Sequence, residues 1–311
     1  MQKDGKTILI TGVNGFVGNA LANYLHRTGH EITGCDIVDN PKNNICKKFH
    51  VCDIKNRQLL KALVMEVQPD SVYHMAGLIK SNDPDEFYKT NVLGTQNIFE
   101  AIKASGLHTK VLIPGSSAIY GRGYMLRPIT EAFKPRAETP YGQSKVAQEN
   151  IAFEYSRKYK IPTVIARTFN LVGPAQPTSL VCSRVANLIS KIEKGKSSNP
   201  ITTGNTKSIR DFIDIRDAII AYDMLMNFGR SCQAYNVCSG KGRTVNECMQ
   251  ILASKARCPI EYLPQDSPPQ ANDVPFQQGS YYKLNRLCGW KPEISLEQSL
   301  EDMIKYWRQN T

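Results

Sequence analysis

Tyr141 and Lys145 stand four residues apart in the segment YGQSK, a spacing that could support acid–base chemistry. On a helix, residues i and i+4 share one face, so the phenol and the ammonium would lie one turn apart. A free phenol has a pKa of about 10 and is a poor base near neutrality. A neighbouring ammonium would favour the phenolate and lower that pKa. The pair therefore predicts a proton-transferring tyrosine at residue 141.

Ser116 offers a second hydroxyl for the same chemistry. It ends the apolar run KVLIPGS, which reads as a strand. In a doubly wound sheet ligands bind at the carboxyl ends of the strands, so this hydroxyl could polarise a carbonyl jointly with Tyr141. The Tyr–Lys spacing alone is a weak signal because the chain has 14 tyrosines. Ser116 at a strand end strengthens it.

A glycine triplet near the start of the chain could bind a pyrophosphate. Gly12, Gly15 and Gly18 lie in TGVNGFVG, between a β-rich run and a helical stretch. Glycines would let the backbone approach the phosphates, and the helix N-terminus would stabilise their charge. A tight turn without a ligand is the alternative. The strand–turn–helix context favours a dinucleotide site.

Two acidic residues follow at positions that suit a dinucleotide. Asp36 ends the second predicted strand, where its carboxylate could accept hydrogen bonds from both ribose hydroxyls of NAD and repel the 2′-phosphate of NADP. The next residue, Ile37, supplies no positive charge for that phosphate. Asp53, at the end of the third predicted strand, could bind the adenine amino group. We predict NAD, with NADP less favoured; a strand-end turn residue is the alternative for Asp36.

A scaffold must bring these strand ends together. The first half of the chain alternates β-rich runs with helical stretches, which predicts βαβ units in an α/β, Rossmann-type doubly wound parallel sheet. The predicted strands are 7–11, 31–36, 48–53, 71–75, 110–116 and 162–167, and the predicted helices are 18–28, 57–67, 84–105 and 140–160. Later helices are expected at 180–194, 245–256 and 296–307, strands at 208–213 and 234–237, and a loop at 264–278. We predict an NAD(P)-binding domain over 1–170. The smaller substrate-binding domain would occupy mainly 171–311, with some segments returning to the main sheet.

Composition narrows the class of protein. The chain has 311 residues, 41% hydrophobic and 22% charged, which is typical of a globular protein. Its net charge of +11 favours anionic partners such as nucleotides, phosphosugars or nucleic acid, but the basic residues are not clustered. No apolar run reaches the ~20 residues that span a bilayer, and the N-terminus lacks signal-peptide features. We expect a cytoplasmic protein without a membrane partner.

Cysteine and histidine spacings argue against a disulfide framework and a metal site. The nine cysteines include no CxxC pair, and the five histidines show no ligand spacing. Reduced, mostly buried thiols are the expectation.

Seven segments together resemble the extended short-chain dehydrogenase/reductase family of nucleotide-sugar epimerases, dehydratases and reductases. They are TGVNGFVG (11–18), HMAG (74–77), TNVLGTQN (90–97), GSSAIYG (115–121), YGQSK (141–145), RTFNLVGP (167–174) and RDFIDIRD (210–217). The resemblance implies an NAD(P)-binding Rossmann domain and a catalytic group of Ser116, Tyr141 and Lys145. It also implies a homodimer built from the helices at 84–105 and 140–160. Their apolar positions suit either that interface or burial against the sheet: Val92, Ile98, Phe99, Val146, Ile151 and Phe153.

The same resemblance implies the binding residues. Cofactor contacts would come from Gly12, Asn14, Gly15, Phe16, Val17, Gly18, Asp36, Asp53, Ile54, Met75, Ala76, Gly77, Asn91, Tyr141 and Lys145. Contacts with a nucleotide-diphosphate sugar would come from Ser116, Ser117, Asn170, Arg184 and Arg210. Of these, Asn170 and Arg210 would contact the diphosphate.

Within the family, the chain most resembles GDP-4-keto-6-deoxymannose reductases, through segments such as KIEKGKSSNPITTGN (191–205) and GWKPEISLEQSLEDMIKYW (289–307). That likeness implies hydride transfer from NAD(P)H to the C4 keto group of a nucleotide-4-keto-6-deoxyhexose, with Tyr141 as proton donor. A UDP-hexose 4-epimerase, which oxidises and re-reduces C4, is the alternative. Dehydratases usually carry an Asp-Glu pair where this chain has Ser117 and Ala118, which argues against dehydration. A non-catalytic dinucleotide-binding or nucleic-acid-associated protein, suggested by the charge, is disfavoured by the intact catalytic residues.

Three positions depart from the reductases. These enzymes often carry a glutamate in place of Ala118, and their cofactor-selecting strand end usually suits NADP, whereas Asp36 suits NAD. Gln270 stands where a second diphosphate-binding arginine is expected, in the loop before Asp273. Arg184, Arg216 or a nearby lysine would compensate for it, or the substrate is unusual.

Overall fold

The structure, a computed structural model, describes residues 5–39, 45–122, 127–264 and 274–311. The chain divides into two compact units. The first comprises Met1–Gly121, Lys134–Thr168 and Ile219–Tyr235, and the second comprises Arg122–Phe133, Phe169–Ala218 and Asn236–Thr311. Gln270 and Asp273, with most of the predicted loop at 264–278, lie outside the described residues.

Strands and helices alternate along the first part of the chain. The strands are β1 (Thr7–Thr11), β2 (Glu31–Asp36), β3 (Lys48–Val51), β4 (Ser71–His74), β5 (Lys110–Ser116), β6 (Thr163–Thr168), β7 (Asn170–Val172), β8 (Ile201–Thr203), β9 (Ile209–Asp214), β10 (Gln233–Val237), β11 (Gly242–Thr244) and β12 (Tyr262–Pro264). The helices are α1 (Phe16–Arg27), α2 (Arg57–Val67), α3 (Pro84–Phe87), α4 (Gly94–Ser105), α5 (Pro140–Tyr159), α6 (Val181–Glu193), α7 (Ile215–Phe228), α8 (Val245–Ser254), α9 (Tyr282–Cys288) and α10 (Leu296–Asn310). A π-helical segment (Tyr88–Leu93) precedes α4, and a 3₁₀ turn (Ser117–Tyr120) follows β5.

The central sheet has seven strands in the order β10-β6-β5-β4-β1-β2-β3. The neighbouring pairs from β3 to β6 are parallel. The chain reverses the direction of its strand order between β1 and β4, and ligands bind at such a switch point, outside the carboxyl ends of the strands. The predicted doubly wound α/β fold is confirmed.

Apolar side chains from the sheet and its helices form the core of the first unit. Leu9, Val72 and Ile113 on the strands are fully buried, as are Ile98 and Phe99 on α4. Burial of this size stabilises the fold by roughly 1.5–3 kcal/mol per large side chain. Since Ile98 and Phe99 are fully buried within their own chain, they contact the core rather than a second subunit.

Helix termini in the first unit carry polar caps. The Asn56 side chain accepts hydrogen bonds from the backbone N–H groups of Gln58 and Leu59 at the start of α2. Thr139 accepts from the N–H of Gly142 at 3.0 Å, so α5 begins one residue before Tyr141. Such a cap contributes about 1 kcal/mol and fixes where the helix starts.

The second unit contains two small sheets and its own core. Strand β9 pairs parallel with β7 and antiparallel with β11, and β8 pairs parallel with β12. Helices α6, α8 and α10 bury apolar side chains in one cluster, which includes Val185, Cys248 and Leu300. This unit therefore has a hydrophobic core of its own.

Several elements differ from the sequence predictions, which did not include β7, β8, β11, β12, α7 and α9. The helix expected over 84–105 is interrupted by the π-helical segment, because hydrophobic periodicity does not report the hydrogen-bond register of a helix. Such segments are frequent at functional sites. Helix α7 was not predicted; most of its residues are apolar and buried, among them Ala218, Ile219 and Leu225, while Arg216, Asp223 and Asn227 lie on its outer side.

None of the described helices combines the length and the hydropathy that crossing a bilayer requires. Among the described residues, no group of three or more His, Cys, Asp or Glu side chains could hold a metal ion. The cysteines are free thiols.

Candidate active site

The glycine turn after β1 lies against the segment that follows β4. Gly12 has a φ of +67°, and a Cβ built there would lie 2.7 Å from the Ala76 Cα. A Cβ on Gly18 would lie 2.2 Å from the Gly12 carbonyl oxygen. Only glycine fits either position, because real Cβ atoms do not approach so closely. The turn leads directly into α1, whose Ncap residue, Gly15, offers no side-chain cap to the first N–H groups of the helix.

Asp36 is anchored at the end of β2 beside this turn. Its carboxylate accepts hydrogen bonds from the backbone N–H of Asn14 at 3.0 Å and of Val38 at 3.3 Å. Asn14 also donates its side-chain amide to the Val38 carbonyl at 3.2 Å. The carboxylate thus has a fixed position next to the turn while its residue stays partly exposed.

Asp53 and Ile54 follow β3. Asp53 accepts from the backbone N–H of Lys55 at 2.9 Å and is partly exposed. Ile54 is buried, and the Asn97 side chain on α4 donates to its carbonyl at 3.0 Å. These contacts hold the loop after β3 at the same sheet edge as the glycine turn.

Asn91, in the π-helical segment, fixes the loop after β4. Its side-chain oxygen accepts from the Leu78 N–H at 2.8 Å, and its amide nitrogen donates to the Leu78 carbonyl and the Ser144 hydroxyl, each at 3.0 Å. Asn91 is fully buried. It therefore joins the segment Met75–Gly77 to helix α5.

Tyr141 and Ser116 come together as the sequence predicted. Tyr141 lies in the first turn of α5, and the Ser116 hydroxyl at the end of β5 is near enough to act on its phenol. Burial raises the pKa of Tyr141, and the Ser116 hydroxyl opposes that rise. Desolvation of the phenolate thus outweighs the Ser116 contact, and the lowered pKa expected at this residue stays a prediction.

Lys145 lies one turn along α5 and is 5% exposed. Its amine is 5.9 Å from the centre of the Tyr141 ring. It donates to the Pro114 carbonyl at 3.0 Å and to the Gln148 side-chain oxygen at 2.8 Å. Burial lowers the pKa of Lys145 to about 8, against the opposing charge of Glu149. The amine is therefore charged at neutral pH but loses its proton at mildly alkaline pH.

A buried ion pair lies close to Lys145 and was not predicted from the sequence. The Arg167 guanidinium on β6 donates to both Glu149 carboxylate oxygens, at 2.8 to 3.2 Å, and to the Tyr120 hydroxyl at 3.0 Å. Arg167 and Glu149 have side chains only 8% and 3% exposed. Burial raises the pKa of Glu149, while Arg167 counteracts that rise. The four-residue spacing from Lys145 to Glu149 was the available signal.

The predicted substrate residues are divided between the two units. Ser117 is buried in the 3₁₀ turn of the first unit. In the second, the Asn170 amide donates to the Asp211 carbonyl at 3.2 Å, and the Arg210 guanidinium donates to the Ile209 carbonyl at 3.0 Å and to the Val274 carbonyl. Arg184 is exposed on α6 and pairs with no described residue.

Arg216, one of the residues considered as a replacement for the arginine absent at Gln270, is already paired. It forms ion pairs with Asp214 at 2.8 Å and with Asp302 at 2.9 Å. Because both carboxylates occupy its guanidinium, Arg184 is the better candidate for an added phosphate contact.

Comparison with known proteins decides the family. The sequence profile of the GDP-mannose 4,6 dehydratase family matches residues 9–303. The chain belongs to this family. A relative, the GDP-6-deoxy-D-mannose reductase of Pseudomonas aeruginosa, is 31% identical over 305 residues, which cover 96% of this chain and 96% of the relative. The predicted membership among nucleotide-sugar epimerases, dehydratases and reductases is confirmed.

Solved structures of the family share the fold along the whole chain. The structure of RMD from Pseudomonas aeruginosa complexed with NADPH has a TM-score of 0.87 and 30% identity, and the match covers 98% of this chain and 100% of that one. The Thermus thermophilus UDP-glucose 4-epimerase complex with NAD has a TM-score of 0.88 and 25% identity, and the match covers 98% and 99%. Both reductases and epimerases are thus similar to this member of the family.

In this family member, Gly18→Ala is expected to disrupt the glycine turn. The new Cβ would meet the Gly12 carbonyl oxygen at 2.2 Å, so the turn or α1 must shift. We expect a loss of about 1–3 kcal/mol in unfolding free energy and at least about tenfold weaker dinucleotide binding. Denaturant titration and calorimetric titration measure the two effects. Gly204→Ala is the matched control, since a Cβ there meets nothing within 4 Å; equal dinucleotide affinity in both variants would contradict the proposed turn.

Proposed function

We propose that the chain is an NAD(P)-dependent nucleotide-sugar oxidoreductase that reduces the C4 keto group of a nucleotide-4-keto-6-deoxyhexose. The observation that carries the proposal is the grouping of the Tyr141 phenol with the Ser116 hydroxyl, which acts on its pKa, and with the Lys145 amine, 5.9 Å from the ring centre. The relative named GDP-6-deoxy-D-mannose reductase, 31% identical along nearly the whole chain, supports this reaction.

The residues at the switch point fit a dinucleotide. The backbone of the glycine turn approaches neighbouring backbone so closely that no side chain fits at Gly12 or at Gly18. The turn would hold the pyrophosphate, Asp36 the adenosine ribose, and Asp53 with Ile54 the adenine. The segment Met75–Gly77, with Asn91, Tyr141 and Lys145, would hold the nicotinamide half. When bound, the reduced nicotinamide supplies the hydride that reaches C4.

Side chains of the protein supply the proton that the C4 oxygen receives. Because burial raises the pKa of Tyr141, the phenol keeps its proton at neutral pH and can donate it to the C4 oxygen as the negative charge develops there. The Ser116 hydroxyl donates a hydrogen bond that stabilises the phenolate left behind. The charged amine of Lys145, 5.9 Å from the ring centre, stabilises the same phenolate.

Asp36 supports NAD as the preferred cofactor. Its carboxylate is fixed by the backbone of Asn14 and Val38, so it cannot swing away from an added phosphate without breaking those hydrogen bonds. The related RMD structure holds NADPH. We propose that this chain differs from that relative in cofactor preference because its carboxylate would repel the 2′-phosphate.

Asp36→Ala is expected to relax the preference between NADH and NADPH. Removal of a like charge beside the 2′-phosphate should lower the KM for NADPH at least about tenfold, since such juxtapositions cost several kcal/mol. Steady-state kinetics with each cofactor measure the change. Asp39→Ala, an exposed carboxylate in the same loop, is the control. A wild-type enzyme that already uses NADPH better than NADH would contradict the role of Asp36.

A UDP-hexose 4-epimerase is the second candidate. The NAD-suited Asp36 favours it, as does the similarity to the Thermus thermophilus UDP-glucose 4-epimerase, whose structure contains NAD. This function requires a cofactor that stays bound through both half-reactions. It predicts dinucleotide in the purified protein and interconversion of gluco and galacto sugars without added cofactor.

One assay separates the two functions. The protein is mixed with GDP- or UDP-4-keto-6-deoxyhexose and NADH or NADPH, and nicotinamide absorbance is followed. A reductase consumes one reduced cofactor per sugar. Failure to consume cofactor with every keto-sugar, together with sugar interconversion, would replace the first proposal with the second.

We further propose a cytoplasmic homodimer that binds neither membrane nor nucleic acid. The free thiols suit a reducing compartment. Tyr88 and Leu93 of the π-helical segment are 55% and 38% exposed, which leaves apolar surface for a second subunit. Analytical ultracentrifugation tests the dimer, and a monomer at micromolar concentration would contradict it.

A further inference from the structure

A chain of buried hydrogen bonds runs from the glycine turn to the catalytic lysine. The Thr11 hydroxyl at the end of β1 lies 2.9 Å from the His74 Nδ1, and the His74 Nε2 lies 3.1 Å from the Thr95 hydroxyl on α4. The Gln148 amide nitrogen lies 2.7 Å from the same Thr95 oxygen, and the Gln148 oxygen accepts from Lys145 at 2.8 Å. Thr11, His74, Thr95 and Gln148 are fully buried. The chain thus joins four elements of the first unit without solvent.

The donors and acceptors of this chain can be assigned by counting protons. The Thr95 hydroxyl donates its one proton to the Asn91 carbonyl at 2.7 Å, so toward its other neighbours it can only accept. His74 must therefore donate from Nε2, and Gln148 must donate from its amide nitrogen. Burial, with a smaller contribution from the charge of Lys145, lowers the pKa of His74 to about 3, so the ring is neutral.

The neutral ring then fixes the other end of the chain. With its proton on Nε2, His74 accepts at Nδ1 from the Thr11 hydroxyl. The Thr11 oxygen accepts in turn from the backbone N–H of Ala76 at 3.1 Å. All the hydroxyl and ring protons are used: Thr11 donates to His74, His74 and Gln148 both donate to Thr95, and Thr95 donates to the Asn91 carbonyl.

Because the Thr95 oxygen can only accept from Gln148, the amide nitrogen of Gln148 faces Thr95 and its oxygen faces the lysine. A flipped amide would place its N–H groups against the Lys145 amine and its oxygen against a Thr95 oxygen that has no proton to give. We propose that Gln148 is a positioning residue that holds the Lys145 amine by its side-chain oxygen, in an orientation that Thr95 enforces because its only proton goes to the Asn91 carbonyl. The inference rests on the proposed function only in that Lys145 assists Tyr141.

The chemistry of the acceptor explains why an amide suits this place. An amide oxygen binds the amine without adding a negative charge, so desolvation still acts on the ammonium. The titratable groups that face the amine are Tyr141 and Glu149 on α5 and His74 on β4, and Glu149 is paired with Arg167 on β6. A carboxylate in place of Gln148 would add a second negative charge, in direct contact with the Lys145 amine.

Kinetics of Gln148 variants test the role in the reaction. In Gln148→Glu, we expect the alkaline limb of the kcat profile for reduction, set by Lys145, to move up by about one pH unit or more. In Gln148→Met, which keeps the size but lacks the acceptor, kcat should fall about tenfold with the KM for the keto-sugar unchanged. Gln143→Met, an exposed glutamine on the same helix, is the control. A purely structural role would lower stability without moving the limb, so a Gln148→Glu profile that superimposes on the wild type would overturn the proposal.

A second measurement needs neither turnover nor a variant. In wild-type protein with ¹⁵N-labelled histidine, NMR should show His74 as the Nε2–H tautomer with no titration between about pH 5 and pH 9. A proton on Nδ1, or titration near the ordinary histidine pKa, would overturn the assignment. If no keto-sugar is reduced, the proposed function fails, whereas the His74 tautomer still tests the donors and acceptors assigned around Thr95.

Discussion

Tyr141→Phe is expected to lower kcat for keto-sugar reduction by about 10²–10⁴-fold, the contribution typical of a positioned general acid. The substitution removes the proton that the C4 oxygen must receive. It keeps the aromatic ring, whose centre lies 6.0 Å from that of Phe87, so the local packing is retained. Stopped-flow and steady-state kinetics measure turnover, and fluorescence titration measures the affinity for the dinucleotide, which should change less than about twofold.

Tyr88→Phe is the matched control for this experiment. Tyr88 is 55% exposed on the π-helical segment and lies outside the proposed catalytic group. Its loss of a hydroxyl should leave kcat unchanged. Equal turnover in Tyr141→Phe and Tyr88→Phe would remove Tyr141 as the proton donor.

Arg167→Met is expected to lower the unfolding free energy by about 3–5 kcal/mol, because it leaves a buried carboxylate without its partner. Glu149 is only 3% exposed at its side chain and receives its charged hydrogen bonds from Arg167. Tyr120 would lose a hydrogen bond as well. Urea titration of the folded protein gives the change in free energy.

The pH dependence of this variant gives a second check. Without Arg167, burial is opposed only by the charge of Lys145 and raises the folded-state pKa of Glu149 further above the unfolded value. An acid whose pKa is higher in the folded state binds its proton more tightly when the protein is folded. Its unfavourable contribution to the unfolding free energy therefore grows as the pH rises between the unfolded and folded pKa values, and shrinks as the pH falls. The stability deficit of Arg167→Met should therefore be smaller at about pH 5 than at about pH 8.

Two controls separate the buried charge from simple loss of a side chain. The double variant Glu149→Met with Arg167→Met removes both charges and should recover much of the lost stability. Arg57→Met breaks an exposed pair with Glu100, in which the Arg57 side chain is 69% exposed, and should cost less than about 1 kcal/mol. If the double variant is as unstable as the single one, the uncompensated carboxylate is not the cause.

The parts of the site that local sequence determines could be predicted. Strand–turn–helix order and glycine spacing place Gly12 and Gly18 at a sheet edge, and the i, i+4 rule places Tyr141 and Lys145 on one helix face. These patterns work because each depends on neighbours in the chain. The parallel sheet follows in the same way from the alternation of β-rich and helical segments.

The burial that raises the pKa of Tyr141 could not be predicted, because it depends on several elements rather than on one neighbour. The partners of Lys145 were missed for a similar reason. Thr95 and His74 are separated from Gln148 by tens of residues in the chain, and only the packing of α4, β4 and α5 brings them together. The π-helical segment at Tyr88–Leu93, which orients Asn91, leaves no mark in hydrophobic periodicity.

Residues 117 and 118 distinguish the proposed reaction from dehydration. The matched profile is named for a 4,6 dehydratase, yet Ser117 and Ala118 stand where dehydratases usually carry an acid–base pair. Ser117 is buried in the 3₁₀ turn and Ala118 donates its backbone N–H to Ser116 at 3.1 Å. Neither side chain can act as the second acid or base, so the proposed chemistry at C4 relies on Tyr141.

Transfer of a labelled hydride tests the proposed reaction most directly. The protein is incubated with GDP- or UDP-4-keto-6-deoxyhexose and reduced nicotinamide dinucleotide that carries deuterium at its transferable position, and the product sugar is examined by NMR. We expect one deuterium at C4 of each product molecule, with label incorporation slowed by about 10²–10⁴-fold in Tyr141→Phe. A reduced sugar without deuterium at C4, or no reduced sugar with either cofactor, would contradict the assignment of this chain as a C4 reductase.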